Sequence, residues 1–203
     1  MSSSALERLA SYHPIISCEG AAEEIVIGKL IEADVLVFPS SNLVGITRLR
    51  KATRIQEKYL NYDYDWPVCI LRVLDSPREK FSLRKLYRDR FKVYSIYTRP
   101  EIEILIIIRE DNWDSWKRSG IKPSEYCTQV MHISQVKNAG FLDGYWDAES
   151  LIFAALEYRR LSNRKRDELC LADIIKVEGR RSPGLPMGDA RTPLERSNVL
   201  ADT

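Results

Sequence analysis

Apolar positions along the chain fall into short continuous runs separated by amphipathic stretches, the alternation that builds α/β domains. Pro14 to Cys18 reads as a first strand and stops at Glu19; Gly20 allows a close turn, and the spacing of Ile25, Ile27, Leu30 and Ile31 predicts a helix over 21–32. Val35-Leu36-Val37-Phe38 is a continuous apolar run before Pro39, which predicts a buried second strand over 34–38. A helix is expected from about Asn42 to Leu60, with Arg48, Arg50, Lys51, Arg54 and Lys58 making one side basic. A solvated helix face explains such a stripe as readily as phosphate binding does.

Val68 to Leu74 is the clearest strand of the first half and ends at Asp75. Ser76-Pro77-Arg78-Glu79 has the spacing of a helix start, with Ser76 as N-cap, Pro77 at the first helical position and Glu79 closing a capping box. In that arrangement Asp75 is not needed as a cap. The expected helix runs to about Phe91 and carries Arg78, Lys80, Arg84, Lys85, Arg88 and Arg90. Val93 to Tyr97 alternates like another strand. In 102–108 the isoleucines favour a strand, whereas Thr98, Pro100 and two early acids favour a helix; the punctuation tips the reading to helix.

Further on, Gln129 to Ser134 is read as a last short strand and 138–144 as a loop. Asp147 is placed to cap a helix to about Ser162, followed by a final helix over 166–177. The Pro, Gly and polar composition from 178 to 203 predicts a flexible tail, and 1–12 a lead-in, around a single domain over 13–177. The expected fold class is therefore α/β, a mostly parallel central sheet flanked by helices in the Rossmann-like manner.

Composition narrows the chemistry. No apolar run among the 203 residues approaches the roughly 20 that a membrane helix needs, and the N-terminus lacks the basic-then-apolar order of a secretory signal, so a cytoplasmic location is expected. Four cysteines at 18, 69, 127 and 170 are too dispersed for a zinc knuckle and are read as buried thiols. With only His13 and His132 present, a histidine-based metal site or Ser-His-Asp triad has little material, and catalysis would fall to carboxylates. The net charge of +2 is uninformative, but the basic residues cluster, and clustering is what phosphate recognition uses.

Three acids share a setting: Glu19 after the first strand, Asp75 after the Val68 strand and Glu103 after Pro100, with Glu23 one helical turn beyond Gly20. Two ionised carboxylates about 4 Å apart at an effective dielectric near 20 repel by roughly 4 kcal/mol, which a shared proton, a Lys or Arg, or a divalent cation must offset. Each acid alone is also what a turn, a helix's first turn or a buried ion pair would place there.

In this order the acids resemble the Toprim catalytic domain, which carries Glu-Gly at the end of its first strand and Asp-x-Asp at the end of a later one. Glu19-Gly20 and Asp75 match those positions; Glu19-Gly20-Ala21-Ala22-Glu23 looks most like the OLD and RloB-like branch, as does Pro100-Glu101-Ile102-Glu103. The resemblance spans about Ile15 to Ile108, and Pro77 stands where the family has its second aspartate. It implies a Toprim-like fold and metal-dependent cleavage of nucleic acid, DNA or RNA. Glu19, Asp75 and Glu103 would be ligands of Mg2+ or Mn2+, with Glu19, Asp75 and Glu23 as the catalytic acids. Arg48, Arg50, Lys51, Arg78 and Lys80 are the expected phosphate-binding residues. The resemblance also implies a role in phage defence beside a separately encoded ATPase, and a homo-oligomer is compatible with it. The competing expectation is a non-catalytic module on the same fold that binds nucleic acid or a protein.

Overall fold

The computed structural model describes residues 9–165 and 168–176. The chain is an α/β single domain built on a four-stranded, all-parallel sheet. Strand β1 (His13–Cys18) leads into helix α1 (Ala21–Glu32) and then strand β2 (Gly45–Thr47), followed by a short helix α2 (Ala52–Ile55) that widens into a π-turn over Gln56–Leu60. Strand β3 (Val68–Leu74), helix α3 (Lys85–Arg88) and strand β4 (Lys92–Tyr97) complete the sheet. Its order is β2-β1-β3-β4, so the two central strands, β1 and β3, send their connections toward opposite edges. Between them lies the switch point at which open parallel sheets form a crevice beyond the strands' carboxyl ends.

Both faces of the sheet are covered, which is why all seven residues of β3 are buried and its sequence shows no polar alternation. On one face Ile16, Cys18, Leu71 and Val73 pack against α1 and the helices that follow the sheet. On the other, Ile15, Val68 and Ile70 meet Ile55 and Leu60 of the α2 segment and Leu83 and Phe91 of the β3–β4 connection. The helices after the sheet are α4 (Ile104–Arg109), α5 (Trp113–Ser119), α6 (Pro123–Gln129), α7 (Ala139–Tyr145) and α8 (Ala148–Leu161). Ile104 to Ile108 are all buried, so α4 is a core helix despite its β-branched composition. Tertiary burial overrides propensity there. All four cysteines are buried free thiols, as expected.

The expected first strand, the helix over 21–32, the strands over 68–74 and near 93–97, the helix within 102–108 and the Asp147-capped helix are present. Other stretches differ. The 34–38 run is buried at Leu36 and Phe38 but is not a strand of the sheet: Asp34 takes a left-handed conformation (φ 50°), and the run pairs antiparallel with Ile175 instead. Val37 N–H donates to Ile174 O at 2.8 Å and Lys176 N–H to Val35 O at 2.8 Å. A continuous apolar run specifies burial, not which backbone it will pair with.

Nor is 42–60 one helix. Its Gly45-Ile46-Thr47 core extends alongside β1, with Ile46 opposite Ile16, and only the second half is helical. The helix expected over 76–91 is reduced to Lys85–Arg88, because Ser76 Oγ accepts from Arg78 N–H within a local turn and Phe81 and Leu83 pack toward the sheet. Helix α6 runs through Gln129 and His132 is left-handed, which excludes a strand over 129–134. The glycines in 138–144 suggested loop, yet Asn138 Oδ1 accepts from Phe141 N–H and caps α7 there. In place of a helix over 166–177, the described residues hold a single 3-10 turn, Leu171–Ile174, closed by Cys170 N–H on Asp173 Oδ2. Residues 1–8, 166–167 and 177–203 lie outside the described residues, and with them most of the expected lead-in and all of the expected tail. No helix of the described residues is long and apolar enough to cross a membrane.

Candidate functional site

Glu19 and Asp75 are the first residues beyond the two central strands. The register places Cys18 opposite Val73, so the two acids emerge side by side at the switch point. They are joined directly: Asp75 N–H donates to Glu19 Oε2 at 3.0 Å. The other oxygen of Glu19, Oε1, lies 2.9 Å from Arg50 Nη2. Arg50 reaches it because β2 ends on the same side of the sheet as β1, and Ser17 Oγ, buried in β1, donates to Leu49 O at 2.8 Å and fastens the loop after β2.

Glu23 folds back from the first turn of α1. Its Oε2 accepts the Gly20 N–H at 2.8 Å, and only 4% of the residue is exposed. Gly20 itself is extended (φ −147°, ψ −168°), a conformation open to any residue, so the turn does not require glycine. The requirement is space: a Cβ at position 20 would stand 3.1 Å from Glu23 Oε2.

These acids and two further ones, Glu101 and Glu103, line a single cleft of about 190 Å³ together with Lys137 and the Gly20–Ala22 backbone. Glu103 is 5% exposed. Crowding carboxylates into a partly desolvated cleft favours their neutral forms. Burial, then the charges of Glu23, Glu19, Glu103 and Glu101, push Asp75 from an ordinary 3.8 up to about 8. Burial likewise raises Glu23, against which its own backbone N–H, that of Gly20 and a hydrogen bond with Asp75 pull down. Glu103 is raised by burial and partly relieved by Lys137. Asp75 Oδ1 is buried and has no hydrogen-bond partner.

An orphaned carboxylate oxygen among other carboxylates is the donor chemistry that hard, oxygen-seeking cations prefer. Among the described residues no group of three or more His, Cys, Asp or Glu side chains is arranged to hold a metal ion, since Glu19 is turned to Arg50 and Glu23 to Gly20. Glu19 and Asp75 together fit a sparser site, because Mg2+ is commonly held by one or two carboxylates with waters and substrate phosphates completing its shell.

The basic residues divide into two groups. Arg48 is paired with Glu24 at 3.1 Å, and Arg50 with Glu19 and Glu79. Lys51, Arg78 and Lys80 are exposed and make no side-chain ion pair among the described residues. Four contributors escaped the sequence reading. Glu101 lies inside the Pro100–Glu103 motif without a role of its own, Lys137 sits in an irregular segment with no local signal, Glu79 has the spacing of a capping box, and Arg72 is hidden in an apolar strand. In the structure Glu79 Oε2 receives Arg50 Nε and Nη2 and lies 3.0 Å from Arg72 Nη2.

Comparisons with protein-family models, with curated proteins and with solved structures find no match to this chain.

Proposed function

We propose that the chain is a cation-dependent hydrolase of nucleic-acid phosphodiesters on a Toprim-like fold, acting at the Glu19–Asp75 cleft. The observation that carries this reading is the buried, unpartnered Asp75 Oδ1 beside Glu19, in a cleft lined by five carboxylates, Glu19, Glu23, Asp75, Glu101 and Glu103. Glu19 and Asp75 would hold Mg2+ or Mn2+, with Glu103, which lines the same cleft, as a further ligand. When bound, the ion supplies polarisation of a phosphoryl oxygen and stabilisation of the charge that develops on it. Glu23, whose carboxylate is made more basic by burial, would in its ionised form accept the proton of the attacking water. Lys51, Arg78 and Lys80 present unpaired positive charge for the phosphates of the strand. The resemblance extends the proposal to an effector of phage defence that works with a separately encoded ATPase.

The test is degradation of DNA and of RNA with Mg2+ or Mn2+ by the wild-type chain and by Glu19→Ala. Cleavage that disappears in the variant supports the proposal; cleavage that persists unchanged contradicts it. A second reading, a binding module without catalysis, is favoured by the Glu19–Arg50 ion pair, which already neutralises one acid without a metal. It predicts nucleic-acid binding that weakens steeply with salt, and no cleavage with either cation.

A further inference from the structure

Arg50 stands at the mouth of the cleft between two carboxylates that differ in what supports them. Its Nη2 serves both: 2.9 Å to Glu19 Oε1 and 3.1 Å to Glu79 Oε2, with Nε a further 3.4 Å contact to Glu79. Nη1 is engaged by neither. Glu79 in turn is anchored from below. Arg72, 2% exposed in the central strand β3, stacks its guanidinium over Phe81 at 4.3 Å and places Nη2 3.0 Å from the same Glu79 oxygen. That last contact is an ion pair off the hydrogen-bond direction, because Arg72 Nε and Nη2 make no hydrogen bond. A buried guanidinium with so little else to satisfy it needs Glu79 to stay where it is. Glu79 is therefore a fixed post, whereas the Glu19–Arg50 contact involves a half-exposed arginine side chain.

Resting on the reading of Glu19 as a cation ligand, we propose that Arg50 is the cleft's built-in substitute for that cation. It neutralises Glu19 while the site is without metal, and is released onto Glu79 when a divalent cation takes Glu19 over. Because one nitrogen already touches both carboxylates, the handover needs a shift of the guanidinium and no change of backbone. Released, Arg50 would keep Glu79 through Nε and Nη2, and its Nη1, which neither carboxylate engages, would be available to a substrate phosphate. Arg72 and Glu79 are positioning residues in this scheme, and act only through Arg50.

Mn2+ binding to the full-length chain, followed by the electron paramagnetic resonance of the free ion at pH 8 without nucleic acid, tests the handover. Arg50→Gln removes the competitor and tightens Mn2+ about 3- to 10-fold. Glu79→Gln removes the acceptor, leaves Arg50 to Glu19 alone and weakens Mn2+ about 2- to 5-fold. The double variant behaves as Arg50→Gln. Lys51→Gln, which removes an equal charge from the adjacent exposed position, changes affinity less than about 2-fold. A structural role for Arg50 in orienting Glu19 would instead make Arg50→Gln bind Mn2+ more weakly. That result, an equal tightening by Lys51→Gln, or a Glu79→Gln effect that survives in the double variant overturns the inference while leaving the cation site standing. Mn2+ binding that is absent in the wild type, or unaffected by Glu19→Gln, overturns the cation site and the handover together.

Discussion

The backbone N–H of Asp75 donates to Glu19 Oε2 at 3.0 Å, so the acids that end the two central parallel strands are coupled through a main-chain hydrogen bond. This coupling fixes one end of the cleft. It orients Glu19, whose other oxygen faces Arg50, and holds the Asp75 carboxyl in the desolvated interior of the site, with one oxygen unsatisfied.

Asp75 makes stability depend on pH in a stated direction. Its carboxyl is raised from 3.8 to about 8 in the folded chain, so between those values the folded state keeps a proton that the unfolded state has released. Its contribution is complete below about pH 4 and is lost as pH rises through about 8. Asp75→Asn keeps the shape without the charge. In metal-free buffer it is expected to be roughly 1–3 kcal/mol more stable than wild type at pH 8, and close to wild type at pH 4. Urea unfolding at the two pH values measures this. A residual slope of the same sign remains from Glu23 and Glu103, both also raised by burial.

Gly20→Ala separates fold from site. The extended backbone at position 20 accepts alanine without strain, so thermal stability should change by less than about 1 kcal/mol. The new Cβ, 3.1 Å from Glu23 Oε2, obliges that carboxylate to shift by a few tenths of an ångström and lengthens its hydrogen bond from the position-20 N–H. Mn2+-dependent cleavage is expected to fall about 10-fold or more, with the melting curve nearly unmoved. Equal activity in both proteins would remove Glu23 from the site.

The C-terminal strap carries part of the core. Ile175 is fully buried and its bridge to Leu36 satisfies the backbone of a segment that lies outside the sheet. Ile175→Ala should cost about 2–5 kcal/mol, measured by chemical denaturation. A loss under about 1 kcal/mol would mean that the 35–37 segment is held by other contacts.

How much of this was legible in the sequence depended on whether the signal was local. Strand β3 declared itself by seven consecutive apolar-rich positions ending at Asp75, and α1 by its periodicity after Gly20, so the two acids could be placed at strand ends directly. The partners of those strands could not. Gly45-Ile46-Thr47 is too short to stand out against a basic, helix-like background, and Leu36 found its partner about 140 residues away. The same limit applies to the cleft. Glu103 and Glu23 read as its acids, whereas Arg50 reads as a phosphate-binding residue on a helix face and Glu79 as part of a cap, because what brings both to Glu19 is the parallel register of β2 with β1 and an irregular β3–β4 connection. Ser76-Pro77-Arg78-Glu79 had the spacing of a helix start; Arg72 and Arg50 outbid the cap for the Glu79 carboxylate, since a charge-assisted contact is stronger than a bond to a neutral N–H.

The most direct test of the central claim is the cleavage rate of a fluorescently labelled nucleic acid as a function of Mn2+, for wild type and Asp75→Asn. Asp75→Asn preserves the shape of the site and the position-75 N–H to Glu19 hydrogen bond, and replaces the ionisable carboxyl, one of whose oxygens has no partner, by an amide that cannot become anionic. The cleft account predicts cation-dependent cleavage by wild type, and a loss of at least about 100-fold in Asp75→Asn that saturating Mn2+ does not restore. Cleavage by Asp75→Asn at the wild-type rate, or cleavage by wild type that needs no divalent cation, would contradict it.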